Sequence, residues 1–390
     1  MSKAKIILAS YLLAIVFLFL YSFTQVDLGL TLTRWSVWQV VQKFFQHIGY
    51  FDRPLSTGIY VGIISLLFIF YFAFLALARK NLISKRQLWS AIIATAVLLT
   101  FSYNAFSYDL FNYIFDAKIV TYYNQNPYLH KALDYPGEPM LAFMHWTHRV
   151  YPYGPTWLLL TVPVSFVGSN VFLLTFFMFK AIASASFLGA AYFIGKILEK
   201  ISPKREMLGI AFFALNPLVI IESLVSAHND IAMLFFALGS FFLFLNSKYV
   251  RALILLIMSI GVKFATVFIL PVILAHLFFS RQKKNISFET IVLITLILMV
   301  VAVVVVSIRT NFQPWYLLYV LPFAALLSNK YFIFIPSVIM SFVSLLIYVP
   351  YLYSGNWNPP IPAQLFWITT AGIALSVFST LAFRFKSLLE

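Results

Sequence analysis

A chain of 390 residues that is 62% hydrophobic and 10% charged cannot hide its apolar surface in a soluble core, because globular domains carry about 25% charged residues. Its composition places it in a membrane. With no cysteine, disulfides, thiolate metal ligands and cysteine nucleophiles are excluded; the net charge of +15 reports orientation, since no basic patch with interleaved stacking aromatics stands in a soluble domain.

Apolar windows read as spans of the roughly 30 Å hydrocarbon layer, which takes about 20 residues at about 1.5 Å per residue, lie at 6–24, 57–78, 88–105, 170–195, 207–225, 231–246, 250–262, 264–280, 287–308, 314–328, 331–352 and 363–383, some of them shorter than that. The expected fold is all-α, a polytopic membrane helical bundle of about 12 to 13 transmembrane helices with short interfacial helices in the outer loops. The first window follows Lys3 and Lys5 and lacks the small-residue cleavage site of a signal peptide, so it reads as a retained span. With the N-terminus inside, the outer side receives only Arg34, Lys43, Arg53, Lys118, Lys131, Arg149 and Arg309, and Lys180 and Lys263 fall in the membrane. Every other Lys and Arg is inside, a strong positive-inside bias. Trp157 to Val167 resists this scheme. It reads as a re-entrant or interfacial segment, and a thirteenth span is the alternative.

Two outer segments are long, 25–56 and 106–169. In the first, Trp35, Trp38, Val41, Phe44 and Phe45 suit an interfacial helix. Residues 1–87 form an N-terminal pair of spans with this segment, and 88–390 form the main module. The second segment opens with Tyr108-Asp109 and continues through Asn112, Tyr113 and Asp116. At helical spacing Asp109, Asn112, Tyr113 and Asp116 occupy i, i+3, i+4 and i+7, one face of a short helix. Only 12 residues of the chain are Asp or Glu, so two carboxylates on one face suggest a reaction site. Asp109 is the candidate general base and Asp116 the reserve; the plain alternative is an amphipathic helix whose acids face water.

Further along, Glu222 precedes His228-Asn229-Asp230. These types suit a clamp on sugar hydroxyls or a divalent-ion site, while Asn229 or Asp230 equally suits the N-cap of the next helix. Lys263 ends a short run, 250–262, whose roughly 20 Å of helix leaves it below the outer surface. A lysine there needs an anion: a lipid phosphate, with snorkelling or a pairing with Glu222 as the alternatives. Arg309 and Gln313-Pro314-Trp315-Tyr316 form either a phosphate cradle at a helix start or an aromatic belt. No Walker A loop, Gly-x-Gly-x-x-Gly, Gly-x-Ser-x-Gly or His-Glu-x-x-His motif occurs, so an activated donor dissolved in the membrane fits best.

The loop acid Asp109, with Asn126-Pro127-Tyr128, Tyr153-Gly154-Pro155, Asn216-Pro217, His228-Asn229-Asp230 and Gln313-Pro314-Trp315-Tyr316, resembles the GT-C integral-membrane glycosyltransferases. Residues 88–384 are most similar to the prokaryotic polyprenyl-phosphate-mannose-dependent alpha-mannosyltransferases, with the first two spans as an extension. The resemblance implies inverting transfer of a sugar, mannose being favoured, from a polyprenyl-phosphate donor to a glycan or glycolipid acceptor. The site would lie on the extracytoplasmic side of the cytoplasmic membrane. It implies Asp109, with Asp116, as catalytic groups, and Lys263, Arg309 and Gln313 around the donor phosphate. Tyr108, Asn112, Tyr113, Asn126, Tyr128, Tyr153, Glu222, His228, Asn229, Asp230, Trp315 and Tyr316 would meet sugar or acceptor. No cofactor is assigned, a divalent cation stays open, and nucleic acid is not a partner. A transporter or lipid-carrier flippase is the competing class; its polar features would concentrate at the bilayer midplane between inverted halves.

Overall fold

A computed structural model describes residues 3–281 and 286–389. The helices are α1 (Lys3–Ser22), α2 (Ser36–Gln46), α3 (Arg53–Arg79), α4 (Lys85–Thr100), α5 (Asp109–Thr121), α6 (Pro155–Val167), α7 (Phe172–Ile201), α8 (Glu206–Ala214) and α9 (Pro217–Ile220). They continue as α10 (Asp230–Leu245), α11 (Tyr249–Val262), α12 (Leu270–Arg281), α13 (Phe288–Thr310), α14 (Leu321–Leu326), α15 (Tyr331–Leu346), α16 (Tyr348–Ser354) and α17 (Ile361–Leu389). The described residues contain no strand, only an isolated antiparallel bridge between Lys131 and Val150, and the architecture is the all-α bundle that the composition demands.

Six helices are long and apolar enough to cross a bilayer, and α8 with α9 and its π-helical extension, bent by 55°, makes a seventh. Several other expected spans, at 231–246, 250–262, 264–280 and 314–328, appear as apolar helices of 10–17 residues. Their shortness has local causes. At Asn216-Pro217 proline has no N–H to continue α8, and the Asn216 side chain restarts the helix by accepting from Leu218 N at 3.0 Å. The chain turns out of helix at Lys263, where φ is −152° and ψ 133°, and Pro314 opens a 3₁₀ stretch, Pro314–Tyr319.

Contacts between helix ends define two poles. At the basic pole Lys85 pairs with Glu206 and Lys330 with Glu289, Lys200 donates to Leu245 O and Asn246, and Arg205 donates to Asn329. At the opposite pole Ser22 Oγ accepts from Tyr103 N, Arg53 donates to Leu352 O, and Thr310 and Tyr316 share a hydrogen bond. α4, α7, α10, α11 and α13 each start at one pole and end at the other, as alternating spans must.

α5 and α6 lie side by side at the second pole. Tyr113 meets Trp157 edge-on at 5.3 Å, and eight residues on Thr121 bonds Ser165, so the two helices run in the same direction. α6 then turns through Gly168 directly into α7, whose Phe172 packs on Phe111 and Phe143. The segment 157–167 therefore stays at this pole, the placement expected of an interfacial or re-entrant piece. α2 lies there too, with Trp38 against Phe23 and Trp35, Val40 and Phe44 exposed, an amphipathic helix with an apolar face to offer lipid.

The first spans are integral to the bundle. Tyr11 bonds Thr95, Tyr60 donates to Leu345 O and Tyr71 to Phe212 O, and one buried cluster runs from Tyr11 to Leu352.

Candidate active site

α5 begins at Asp109 because the preceding turn is pinned: Asn104 Nδ2 donates to Ser107 O at 2.7 Å, and Ser107 Oγ accepts from Asp109 N at 3.2 Å. Asn112, Tyr113 and Asp116 then point into the protein, all buried, as the i, i+3, i+4, i+7 spacing predicts. Asp109 itself keeps 14% of its side chain exposed. Its Oδ2 lies 3.6 Å from His228 Nδ1 and its Oδ1 lies 4.0 Å from Arg149 Nη2.

His228 is placed by the end of the broken span. The π-helical turn Ile221–Val225 closes when His228 N donates to Glu222 O at 3.0 Å, with Ala227 at a φ of 56°. Lys180, fully buried on α7, holds this end by donating to Ser102 Oγ at 3.0 Å, to Val225 O at 2.8 Å and to Leu224 O. His228 Nε2 reaches Glu222 Oε2 at 3.4 Å, and Glu222 Oε1 accepts from Tyr348 OH at 2.9 Å. Trp315 stacks on the imidazole at 4.2 Å. Neither imidazole nitrogen completes a hydrogen bond, and Glu222 Oε2, Asn229 Nδ2, Asn112 Oδ1 and Trp157 Nε1 are also buried without one. Buried polar atoms are nearly always satisfied, so such a concentration around one carboxylate marks a site.

Asn229 and Asp230 extend the cluster. Asn229 Oδ1 accepts from Tyr113 OH at 3.4 Å and makes no capping bond to α10, so the cap alternative is not realised. Lys263 Nζ binds both oxygens of Asp230, at 2.8 and 3.0 Å, and lies 5.9 Å from the Tyr319 ring centroid. Its anion is thus Asp230 rather than Glu222. The Tyr153-Gly154-Pro155 turn docks on the chain just before this lysine, Gly154 N donating to Val262 O at 3.4 Å, while Tyr153 packs edge-on against Tyr113.

Burial pushes the Asp116 carboxyl up to about 8; the Arg149 charge opposes this and the Asp109 charge adds to it. At neutral pH Asp116 is therefore a hydrogen-bond donor beside an acid that is better exposed. Across the same loop Lys118 binds both oxygens of Glu138 and Tyr123 donates to it. Burial alone would raise Glu138, but these donors hold it below the usual carboxylate range.

The other predicted residues make their contacts elsewhere at this pole. Tyr108 donates to Asp27 Oδ2 at 3.1 Å and stacks on His145 at 3.7 Å. Asn112 Nδ2 donates to Trp146 O, Asn126 Oδ1 accepts from Tyr128 N, and Tyr128 OH donates to Tyr153 O. Gln313 precedes the 3₁₀ turn and makes no capping bond. Arg309 is exposed at the end of α13, which the Thr310–Tyr316 bond ties to Trp315's turn. Among the described residues no three His, Cys, Asp or Glu side chains are grouped to hold a metal ion: the two nitrogens of His228 face different carboxylates instead of sharing a centre with them.

Sequence reasoning missed Arg149, Lys180, Tyr348 and Asp27 as partners of the residues it singled out. Arg149 had one signal, a cation in an aromatic outer loop two residues before Tyr151. Tyr348 sits in an apolar run and had none.

A polytopic helical bundle whose polar groups converge on one partly exposed carboxylate, with cations alongside, presents a candidate active site. Residues 13–279 match the family model of the MptA_B family, described as alpha-(1->6)-mannopyranosyltransferase, N-terminal domain. The chain belongs to that family, and the match runs through α1 and α3 as well as the Asp109 cluster. No curated protein and no solved structure matches the chain.

Proposed function

We propose that this mannosyltransferase takes its sugar from a polyprenyl-phosphate donor and places it on a glycan or glycolipid acceptor at the extracytoplasmic face of the cytoplasmic membrane. Asp109 acts as general base and the transfer inverts the anomeric centre. The observation that carries the reading is the situation of Asp109. It is the better exposed acid of its helix face, Oδ1 turned toward the partly exposed Arg149 and Oδ2 toward a buried histidine.

The acceptor proton moves to Asp109 as the acceptor oxygen attacks the anomeric carbon; the bond from that carbon to the phosphate oxygen breaks, and the polyprenyl phosphate leaves with the electron pair. Arg149 and Arg309, both with exposed surface, supply positive charge for the departing phosphate, and such a contribution grows where water is excluded. Lys263 adds its field from within a pair with Asp230. Asp116, held neutral at pH 7 by burial, donates to a sugar hydroxyl. The absence of a nucleotide-binding motif and the charge bias of the loops support a lipid-borne donor and an outward site.

The test is transfer by the purified chain in liposomes with several polyprenyl-phosphate sugars and a nucleotide sugar, with and without chelator. Mannose transfer from the lipid donor is expected, and Asp109→Asn should lower it by about 10²- to 10⁴-fold while donor binding persists. Use of the nucleotide sugar alone, or near-normal turnover in Asp109→Asn, ends the reading.

A further inference from the structure

We infer that Glu222 and His228 are positioning residues that hold one shared proton beyond the neutral imidazole's own, in a buried unit that orients the Asp109 carboxylate. This deepens the proposed function and rests on Asp109 being its base.

His228 and Glu222 have no exposed side-chain surface, so neither touches acceptor or donor. Both nitrogens of His228 face carboxylate oxygens, Asp109 Oδ2 at 3.6 Å and Glu222 Oε2 at 3.4 Å. A neutral imidazole donates from one nitrogen and presents a lone pair at the other. One of the two contacts would then set a lone pair against a carboxylate oxygen, and no protein group among the described residues bonds either nitrogen to relieve it. One additional proton in the unit resolves the conflict and lets a buried Glu222 stay paired, as buried charge requires. The frame is rigid: Trp315 covers the imidazole, Tyr348 fixes the other oxygen of Glu222, and Lys180 fastens the turn between them. The charged and titratable neighbours are Arg149 and Asp116 on the Asp109 side and Tyr348 and Tyr60 on the Glu222 side.

Because Oδ2 faces the buried His228, the acceptor hydroxyl meets Oδ1, the oxygen on the Arg149 side. Fixing the carboxylate in this way aligns the base without contact to the reacting atoms, which is the kind of support that sets catalytic geometry.

The experiment uses the full chain in liposomes, with polyprenyl-phosphate mannose as donor and an octyl α-mannoside as acceptor. His228→Gln and Glu222→Gln should each lower kcat about tenfold or more, with both KM values within about twofold. Both should shift the acid limb of the kcat/KM profile alike, and the double variant should be no slower than the slower single one, because the pair acts as a unit. Tyr348→Phe keeps every charge and should show a smaller loss of kcat in the same direction. If His228→Gln does not fold, as judged by thermal unfolding in detergent, Glu222→Gln and Tyr348→Phe decide. Unchanged kcat in them, a change in KM alone, or losses that multiply in the double variant would overturn the inference. Asp109→Asn measured alongside separates the two ideas. An inactive Asp109→Asn with a normal His228→Gln removes only the positioning unit, whereas an active Asp109→Asn removes the base itself.

Discussion

Lys263 and Asp230 hold each other through both carboxylate oxygens, at 2.8 and 3.0 Å, with Asp230 fully buried and Lys263 one-fifth exposed. The lysine comes from the break after α11 and the aspartate from the first turn of α10. The pair thus joins the helix that follows His228 to the segment on which the Tyr153-Gly154-Pro155 turn rests.

Removing the lysine should be more damaging than removing the acid. Lys263→Ala removes the only cation that pairs with buried Asp230 among the described residues and leaves it Tyr319 as a side-chain partner, a defect of about 3–5 kcal/mol; in Asp230→Asn the lysine turns to solvent along its exposed edge and the loss is smaller. Thermal unfolding in detergent, with Lys263→Met/Asp230→Asn as the repaired pair, checks this. A Lys263→Ala protein of normal stability whose donor KM alone rises would instead assign the lysine mainly to the donor phosphate.

Asp116 makes the protein's stability depend on pH in a definite direction. Its folded pKa, about 8, lies above an unfolded value of about 3.9. Its contribution is fully present below the unfolded value and is lost as pH rises through the folded one. Asp116→Asn mimics the neutral acid, so the melting temperature of the variant relative to the natural chain should climb between about pH 4 and pH 8 and level off above. A difference that is flat across this range would show that Asp116 ionises normally in the fold. Asp116→Asn should also retain far more turnover than Asp109→Asn.

The orientation of the bundle can be checked by labelling, since the chain has no cysteine. Ser202→Cys, at the basic pole beside Arg205, should react with an impermeant maleimide only after the membrane is opened. Asn126→Cys, exposed in the loop after α5, should react in intact cells. Reversed labelling would turn the Asp109 pole toward the cytoplasm.

The sequence made the bundle and the buried polar face of the candidate site legible because both depend on patterns that are local: apolar run length, loop charge, and the face shared by Asp109, Asn112, Tyr113 and Asp116. Partnerships between distant segments were not. His228 is recognisable as a polar residue at a span mouth, but its enclosure between Asp109 and Glu222 depends on the π-helical turn Ile221–Val225, which has no signature in residue types. Lys180 reads as an unexplained cation in an apolar run; its partners are the Leu224 and Val225 carbonyls, and any residue supplies a carbonyl. Arg149 reaches Asp109 because the loop folds back through the Lys131–Val150 bridge, and Asp27 meets Tyr108 from a segment whose composition suggested only lipid contact. The short helices have visible breakers, yet hydropathy windows pass over a Gly-Val-Lys or Gln-Pro-Trp interruption when the flanks are apolar enough.

Gly154 offers a test of how far that docking matters. Its φ of −79° and ψ of 168° suit any residue, so the constraint is space: a Cβ there would lie 2.3 Å from Gly261 O and 2.7 Å from its carbonyl carbon. Both neighbours are backbone, which cannot rotate away as a side chain would. Gly154→Ala should therefore push the turn off the Val262–Lys263 segment at a cost of about 1–3 kcal/mol, the usual range for overpacking. Tyr153 would move from Tyr113, and the Lys263–Asp230 pair would loosen. Gly62→Ala is the matched control, because a Cβ on that α3 residue meets nothing within 4 Å. Melting temperature and kcat measured together should fall for Gly154→Ala and hold for Gly62→Ala; a Gly154→Ala protein indistinguishable from the natural chain in both would mean that the two turns do not touch in the working enzyme.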